Sequence, residues 1–372
     1  MDAGGFDPVF LNDVDPSARN AFVQNFPNLK DRYQLNRVEN LTGNVILDFA
    51  GGQIDGLLGC PPCQGLSQVG PRRKHDHRNA LLFEMHRLVW SISPKFFVME
   101  NVPRLLNTSY FQNFEESISR RYKLHAEIIN AAEYGIPQLR RRAVVIGFRK
   151  HLDIEPSLPE PTHGGDGRVF NYSTGTFIKS ESQTGRKVLM LRPKVSLGEQ
   201  PLVRLQDALG DLPSDVTPEQ DTWDYETPPT TTYQQVMRSC SDAQVTNHRP
   251  WLHRQKMIDR LKTIAAGHCP IEYGNGFRNA TYFSQAYARL HPFGLARTIT
   301  TNFHNPGSGR FTHYAAHRAL TVREALRIQG FPDKLTFNAD IPYKDAERLV
   351  GNAFPRLLAA AIGRHIRSLI SS

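Results

Sequence analysis

The sequence predicts an α/β fold in which a mostly parallel sheet carries helices on both faces, joined to a smaller, mostly irregular or β domain. Apolar runs at 56–59 and 96–99 each end in polar residues, as buried parallel strands do at the rim of a sheet. From about residue 152, proline, threonine and polar residues dominate and regular alternation stops. We expect a sheet domain (1–150), a smaller domain (151–290), its end with a return segment (291–350), and a C-terminal helix packing back on the sheet (351–372).

Composition narrows the class of protein. A length of 372 residues allows about two domains, and 40% hydrophobic residues can form a core. No apolar run reaches the ~18 residues of a membrane span, and the first ten residues do not resemble a signal peptide. Four scattered cysteines favour a reducing compartment, and a net charge of +9 favours a polyanionic partner.

The first element is predicted as a short strand within Val9–Asp15, followed by a helix from Pro16 or Ser17 to about Phe26. An acid at the end of such a strand can bond the ribose of a nucleotide cofactor. A nucleotide-type fold also needs an earlier strand and a glycine-rich turn, and Gly4-Gly5 has no strand ahead of it. We therefore expect a unit of one strand, one turn and one helix, roughly 20 to 30 residues, to be missing from this sequence.

The stretch from Asp55 to Ser67 holds a cysteine on a stiff bend, because Pro61 and Pro62 fix φ just before Cys63. We interpret Cys63 as a nucleophile. Three alternatives remain: a zinc half-site with Cys60, a thioredoxin-like redox pair, and a buried structural cysteine. Zinc would need a second ligand pair, and the redox pair would need a helix start.

Glu100 is predicted at the carboxyl end of the next apolar strand. A carboxylate in such an apolar setting tends to have a raised pKa and to hold a proton near neutrality. The alternatives are a helix-capping glutamate or one paired with an arginine.

Arg140 and Arg142 fall on one face if Gln138–Ile146 forms one strand, because side chains alternate along a strand. Two adjacent guanidiniums suit an anion or a base edge. The alternative is a solvated basic edge strand.

The loop Gln64–Asn79 is rich in small and basic residues, which suits contact with phosphates, although an ordinary solvated loop has the same composition. A helix is predicted at Ala80–Ser91, with core candidates Leu81, Phe83, Leu88 and Trp90. Later helices are predicted at 202–209, 251–265, 321–329 and 355–370, the third starting with a Thr321/Glu324 capping box.

Five stretches of the chain together resemble the DNA cytosine methyltransferases that modify carbon 5. They occur in the family's order and span about residues 6 to 367, apart from a variable middle. They are Pro62-Cys63-Gln64, Glu100-Asn101-Val102, Gln138 with Arg140 and Arg142, the block 318–333, and Gly351-Asn352-Ala353-Phe354-Pro355.

The resemblance implies a Rossmann-like, S-adenosylmethionine-dependent methyltransferase with a target-recognition domain and no metal. It yields S-adenosylhomocysteine and methylates one cytosine of a specific duplex DNA sequence. It implies catalytic roles for Cys63, Glu100, Arg140 and Arg142. Cofactor contacts are expected from Asp13, Val14, Asn40, Pro62, Leu81, Asn352 and Ala353, and DNA contacts from Gln64, Ser67, Arg72, Arg73, Lys74 and Arg78.

In the family, the missing turn looks like Phe-x-Gly-x-Gly-Gly. A start codon placed too far downstream, a truncated gene, or a piece supplied by another chain would each explain its absence. We expect residues 1–372 alone to bind the cofactor poorly. We further expect a cytoplasmic monomer of a bacterial or archaeal cell, with a cognate restriction endonuclease. The alternatives are an RNA cytosine-5 methyltransferase and an inactive DNA-binding homologue.

Overall fold

The computed structural model describes residues 4–62, 81–164, 168–179, 198–239, 241, 243–270 and 285–371. The chain forms two compact units. Unit 1 comprises Met1–Asn130, Arg141–Glu160 and Ala360–Ser372, and unit 2 comprises Ala131–Arg140 and Pro161–Ala359. Among the described residues, no helix has the length and apolar character that crossing a bilayer requires.

Unit 1 alternates strands and helices. Its strands are β1 (Leu11–Asp13), β2 (Tyr33–Leu35), β3 (Gly56–Gly59), β4 (Phe96–Asn101), β5 (Tyr122–Asn130) and, after a short excursion into unit 2, β7 (Arg141–Arg149). Its helices are α1 (Pro16–Asn25), α2 (Gly43–Ala50), α3 (Leu81–Ile92) and α4 (Ser109–Ile118). The last helix, α10 (Arg356–Ser371), contributes most of its length to this unit.

The strands of unit 1 form two sheets. β1 and β2 pair in parallel, and the second sheet has the order β3-β4-β7-β5, with β3 parallel to β4 and β7 antiparallel to both its neighbours. Within β4, Phe96, Phe97 and Met99 are at most 1% exposed. The buried strand that was predicted from this apolar run is therefore confirmed.

The predicted first strand and helix are also confirmed, as β1 and α1. The carboxylate of Asp15 caps α1 by accepting a hydrogen bond from the Ser17 backbone N–H at 2.9 Å. The predicted helix after the loop is α3, but its core assignment needs one correction. Phe83 is 45% exposed and lies against the edge of Tyr110, because α3 buries the stripe that starts at Leu82 instead.

Unit 2 has little regular structure. Its strands are short. β6 (Gln138–Leu139) pairs in parallel with β12 (Ala296–Arg297). Two antiparallel pairs join β8 (Arg168–Asn171) to β9 (Thr176–Lys179) and β10 (Trp223–Asp224) to β11 (Gln244–Val245). Its helices are α5 (Leu205–Leu209), α6 (Thr232–Arg238), α7 (Gln255–Lys262), α8 (Val322–Ile328) and α9 (Tyr343–Asn352).

The helices predicted here exist, but α5 and α7 are shorter than the sequence patterns suggested. The predicted capping box is confirmed: Thr321 and Glu324 each accept a hydrogen bond from the backbone N–H of the other at the start of α8.

Candidate active site

The carboxyl ends of β3 and β4 lie at the same edge of the sheet, because the two strands are parallel and Gly59 is in register with Met99. The chain leaving β3 runs into Cys60, Pro61 and Pro62. The side-chain amide of Asn101, the last residue of β4, donates to the Pro61 carbonyl at 3.0 Å. Asn101 is 5% exposed, so this bond fixes the start of the segment that leads to Cys63.

Glu100 and Arg142 form an ion pair at this edge, with 2.7 Å between Glu100 Oε1 and Arg142 Nε. Their side chains are 15% and 13% exposed, so solvent screens the pair only partly. Arg142 also donates from Nη1 to the Arg141 carbonyl at 2.8 Å, which orients the guanidinium. The structure therefore shows the arginine-paired glutamate that was one of the alternatives for Glu100.

Arg140 does not continue the strand that carries Arg142. The predicted single strand is wrong, because β6 ends at Leu139 and β7 begins at Arg141. Arg140 is 2% exposed, and its guanidinium donates to the carbonyls of Ile299, Gly351 and Ala353 at 3.0–3.1 Å. These donors hold backbone oxygens within unit 2, and the catalytic role expected of Arg140 stays a prediction.

Gln138 forms a second tie in the same region. Its side-chain oxygen accepts from the Ile299 backbone N–H at 2.9 Å, and its nitrogen donates to Gln329 Oε1 at 3.1 Å. Gln329 donates in turn to the Val350 carbonyl. Both glutamines are fully buried, so this chain of amides fixes the end of α9.

The turn that follows α9 contains Asn352 and Ala353, two of the expected cofactor contacts. Arg140 holds the Gly351 and Ala353 carbonyls on either side of Asn352. Gly351 also approaches the backbone closely, because a Cβ there would lie 2.5 Å from the Thr300 carbonyl carbon and oxygen. Any side chain at 351 would therefore displace one of these segments.

The expected ribose and adenine contacts lie at the carboxyl end of β1. Asp13 is exposed and accepts from the Asp15 backbone N–H at 2.9 Å, and Val14 is 59% exposed. Burial raises the pKa of the neighbouring Tyr33 hydroxyl, and the charges of Asp13 and Asp15 raise it further. An accessible carboxylate beside an accessible apolar side chain fits a ribose hydroxyl and an adenine face.

The remaining cofactor candidates in unit 1 are less distinctive. Asn40 is exposed, and its amide donates to Asn36 Oδ1 at 3.2 Å. Pro62 is exposed, and Leu81 is partly buried at the first turn of α3.

Cys63 and the proposed DNA contacts lie outside the described residues, as do Met1–Ala3 and Cys240. The proposed DNA contacts are Gln64, Ser67, Arg72, Arg73, Lys74 and Arg78. Cys60 is exposed. Within the described part of the chain, no group of three or more His, Cys, Asp or Glu side chains is placed to hold a metal ion.

Sequence reasoning included Asn101 and Gln138 in the family-like stretches but gave neither residue a role at the site. Both are polar side chains at the border of a buried strand, and an uncharged polar residue there must find a partner inside the protein. That rule was a signal for both, although it did not give their partners.

Two solved structures that share this fold are methyltransferases. A putative DNA modification methyltransferase encoded within a prophage of E. coli superposes with a TM-score of 0.73 at 23% identity, over 100% of this chain and 94% of that one. The Dnmt2 methyltransferase of S. pombe superposes with a TM-score of 0.55 at 13% identity, over 98% and 91%. The chain therefore has the fold of these methyltransferases.

Sequence comparison then gives the family. The model of the C-5 cytosine-specific DNA methylases matches residues 1–368, so the chain belongs to this family. The Type II methyltransferase M.DdeI of Desulfomicrobium norvegicum is 31% identical, over 86% of this chain and 74% of its own length. The Type II methyltransferase M.AgeI of Thalassovita gelatinovora is 27% identical, over 99% and 95%. The chain is a DNA cytosine-5 methyltransferase that depends on S-adenosylmethionine.

Proposed function

We propose that the protein methylates carbon 5 of one cytosine within a specific duplex DNA sequence, through a covalent adduct between Cys63 and a flipped-out base. The proposal rests on two interactions at the carboxyl end of β4, the Glu100–Arg142 ion pair and the hydrogen bond from Asn101 to the Pro61 carbonyl. They bring a carboxyl group and a guanidinium to the strand end from which the chain leads, three residues after Cys60, to a thiol.

The chemistry explains why these groups are needed. Carbon 5 of cytosine is too weak a nucleophile until a thiolate adds to carbon 6 and turns the ring into an enamine. S-adenosylmethionine supplies the electrophilic methyl group that carbon 5 attacks. Water then accepts the carbon 5 proton as the Cys63 thiolate is eliminated, which restores the aromatic ring.

Glu100 and Arg142 act on the base. When cytosine enters, Glu100 takes up a proton and donates it to ring N3, which spreads the charge that develops as the thiolate adds. Arg142 stays beside it, so its positive charge favours the Cys63 thiolate and holds the base. The ring is not accessible within a stacked duplex, so the cytosine must rotate out.

Arg140 is a positioning residue in this proposal. Its three backbone bonds keep the turn at 351–353 in place, where Asn352 and Ala353 meet the methionine part of the cofactor. Asp13 and Val14 supply the ribose and adenine contacts. The basic residues between 64 and 79 contact DNA phosphates.

We infer the biological setting from the relatives, which are named Type II methyltransferases. The protein would protect cytoplasmic DNA from a cognate endonuclease and would act as a monomer.

The test is covalent trapping. Duplex DNA that carries 5-fluorocytosine should form a denaturation-resistant complex with the protein, because fluorine blocks the final elimination. Cys63→Ala should abolish the complex, whereas the matched variant Cys60→Ser, which alters the exposed cysteine of the same loop, should retain it.

Exchange of the carbon 5 hydrogen with water should be measured in parallel without cofactor, because it requires only thiolate addition. Exchange in Cys63→Ala at the wild-type rate would refute the adduct. Faster methylation of transfer RNA than of duplex DNA would assign the substrate to RNA instead.

A further inference from the structure

Helix α9 ends at the turn 351–353, and one face of this helix lies against the segment 299–304. Gly351 meets this segment at Thr300, whose carbonyl carbon and oxygen would lie 2.5 Å from a Cβ at position 351. Glu347 precedes Gly351 by four residues, so the two positions lie on the same face of the helix. The side chain of Glu347 can therefore contact the same segment one helical turn before the glycine does.

His304 bonds both carboxylate oxygens of Glu347. Its backbone N–H donates to Oε1 at 2.5 Å, and its ring nitrogen Nδ1 lies 2.5 Å from Oε2. The Glu347 side chain is 1% exposed, and this burial raises the pKa of its carboxyl group, although the bonds from His304 oppose the shift. A buried carboxyl group is costly unless it has hydrogen-bond partners, so Glu347 holds the backbone and the ring of His304 at fixed positions.

An aromatic side chain covers this pair. The Trp251 ring packs on the His304 ring with 4.5 Å between centroids, and on the Tyr343 ring at 5.3 Å. The ammonium group of Lys344 lies 5.6 Å from the centroid of the Trp251 ring. The His304 side chain is 15% exposed. Because solvent screens a covered pair weakly, its hydrogen bonds hold the segment more strongly than those of an exposed pair would.

The segment 299–304 is held at both of its ends. At the first residue, Arg140 donates to the Ile299 carbonyl at 3.1 Å. The same guanidinium donates to two carbonyls of the turn 351–353 at 3.0 and 3.1 Å. At the last residue, Glu347 holds the segment as described above. The segment, the end of α9 and the turn therefore form one network, and loss of the second anchor would free the segment to move away from the helix.

We propose that His304 and Glu347 form a positioning pair that sets the affinity of the protein for S-adenosylmethionine. The pair keeps the segment 299–304 seated against Gly351, and this contact keeps the turn 351–353 in the conformation that meets the methionine part of the cofactor. Neither side chain takes part in the chemical step. The inference rests on the proposed function, because that proposal assigns the turn to the cofactor.

The experiment changes each partner within the full chain of 372 residues. His304→Ala removes the ring, and Glu347→Leu removes both acceptor oxygens. Glu347→Gln is the conservative variant, because the amide oxygen can accept the His304 backbone N–H while the amide nitrogen donates to the ring. The matched control is Asp345→Asn, which alters the partly exposed pair with Arg348 on the same helix.

Two properties of each variant are measured. Backbone hydrogen exchange at 350–354 reports on the turn without cofactor or activity, and it should be about tenfold faster in His304→Ala and Glu347→Leu. Methylation of duplex DNA should show a KM for S-adenosylmethionine that is roughly tenfold higher in these two variants, with kcat within about threefold of wild type, because the turn binds the ground state and the transition state equally. Glu347→Gln should restore both properties, and Asp345→Asn should change neither.

An unchanged KM in His304→Ala and Glu347→Leu would overturn the proposal, whether or not kcat falls, because a merely destabilised fold lowers the amount of active enzyme. Unchanged exchange at 350–354 would also overturn it, as would equal effects of Glu347→Leu and Glu347→Gln. If the wild-type protein methylates no duplex DNA, the proposed function is what fails. The dissociation constant for S-adenosylmethionine, measured by calorimetry, then replaces KM, and the same difference of roughly tenfold decides the inference.

Discussion

The two units of this protein differ in the interactions that stabilise the interior of each one. In unit 1, a sheet with apolar faces forms the core, and the polar residues buried among its described positions are the neutral Asn101 and Asn130. In the described part of unit 2, by contrast, many charged side chains are buried. They are Glu133, Arg140, Asp211, Arg289, Arg310, Arg318, Arg323, Glu324, Arg327, Asp333 and Glu347.

In unit 2, buried arginines donate hydrogen bonds to backbone carbonyl groups, a role that strand pairing performs in unit 1. Irregular backbone leaves carbonyl groups without ladder partners, and each buried carbonyl needs a donor. Arg289 donates to four of them, those of Leu261, Ile264, His313 and Ala316. A guanidinium has five N–H donors in a rigid plane, so it can join several loops at once. Unit 2 is therefore organised by directed polar contacts more than by packed apolar layers.

The largest expected effect concerns Arg327, which lies between two buried carboxylates, Asp211 and Asp333. Burial alone would lower the pKa of Arg327, but these carboxylates hold it above its usual value. Arg327→Met should reduce the free energy of unfolding in urea by ~3–5 kcal/mol, because both acids stay buried without the guanidinium.

The control is Arg348→Met, which breaks the partly exposed pair with Asp345 and should cost ~0–1 kcal/mol. Similar losses in both variants would contradict the contrast between buried and exposed charge in this unit.

The second prediction concerns acid sensitivity. Burial lowers the pKa of His248 to about 4, and the opposing charge of Glu324 only partly offsets it. An unfolded histidine titrates near pH ~6.5, so the unfolded state binds the proton first as the pH falls. Stability should therefore drop by on the order of 2 kcal/mol between pH ~6.5 and ~4 on account of His248.

His248→Asn should make the dependence of unfolding free energy on pH less steep in that window. His151→Asn, at an exposed position of unit 1, should leave it unchanged. A wild-type slope in His248→Asn would remove this histidine as a cause of acid sensitivity.

The smallest predicted effect tests unit 1. Ile146, in the centre of β7, is fully buried, and Ile146→Val should cost ~0.5–1.5 kcal/mol at any salt concentration, because it removes only one methylene group. Val45→Ala, at a 52% exposed position of α2, should stay within about 0.5 kcal/mol of wild type. A strong dependence of the Ile146→Val loss on salt would indicate that charge also holds this core.

The same contrast explains how far the sequence could be interpreted. Unit 1 follows hydrophobic periodicity, so β1, α1, α3 and β4 were predicted close to their observed positions. Phe83 was misplaced because a helix stripe shifted by one residue fits the same pattern. The strand across Arg140 was wrong because local alternation does not reveal that a guanidinium is needed by three distant carbonyls.

The candidate site divides in the same way. Residue type, order along the chain and the family resemblance were enough to name Glu100, Arg142, Asp13 and Cys63 as candidates, and their roles stay predictions. Partners far apart in sequence were not predictable: the bond of Asn101 to Pro61 spans 40 positions, and that of Arg140 to Ala353 spans 213. Roles that depend on such contacts require a three-dimensional structure.

The hydrogen bonds that Gln138 and Arg140 make to distant residues of unit 2 have a practical consequence for engineering new sequence specificity. Residues 131–140 belong to unit 2, and their anchors are at 299, 329 and 350–353. A chimaera that exchanges a block extending beyond β12 would separate these donors from the carbonyls they were shaped to fit. With crossover points after His163 and before Ala296, the donor and the acceptor of each of these hydrogen bonds would both come from the recipient protein.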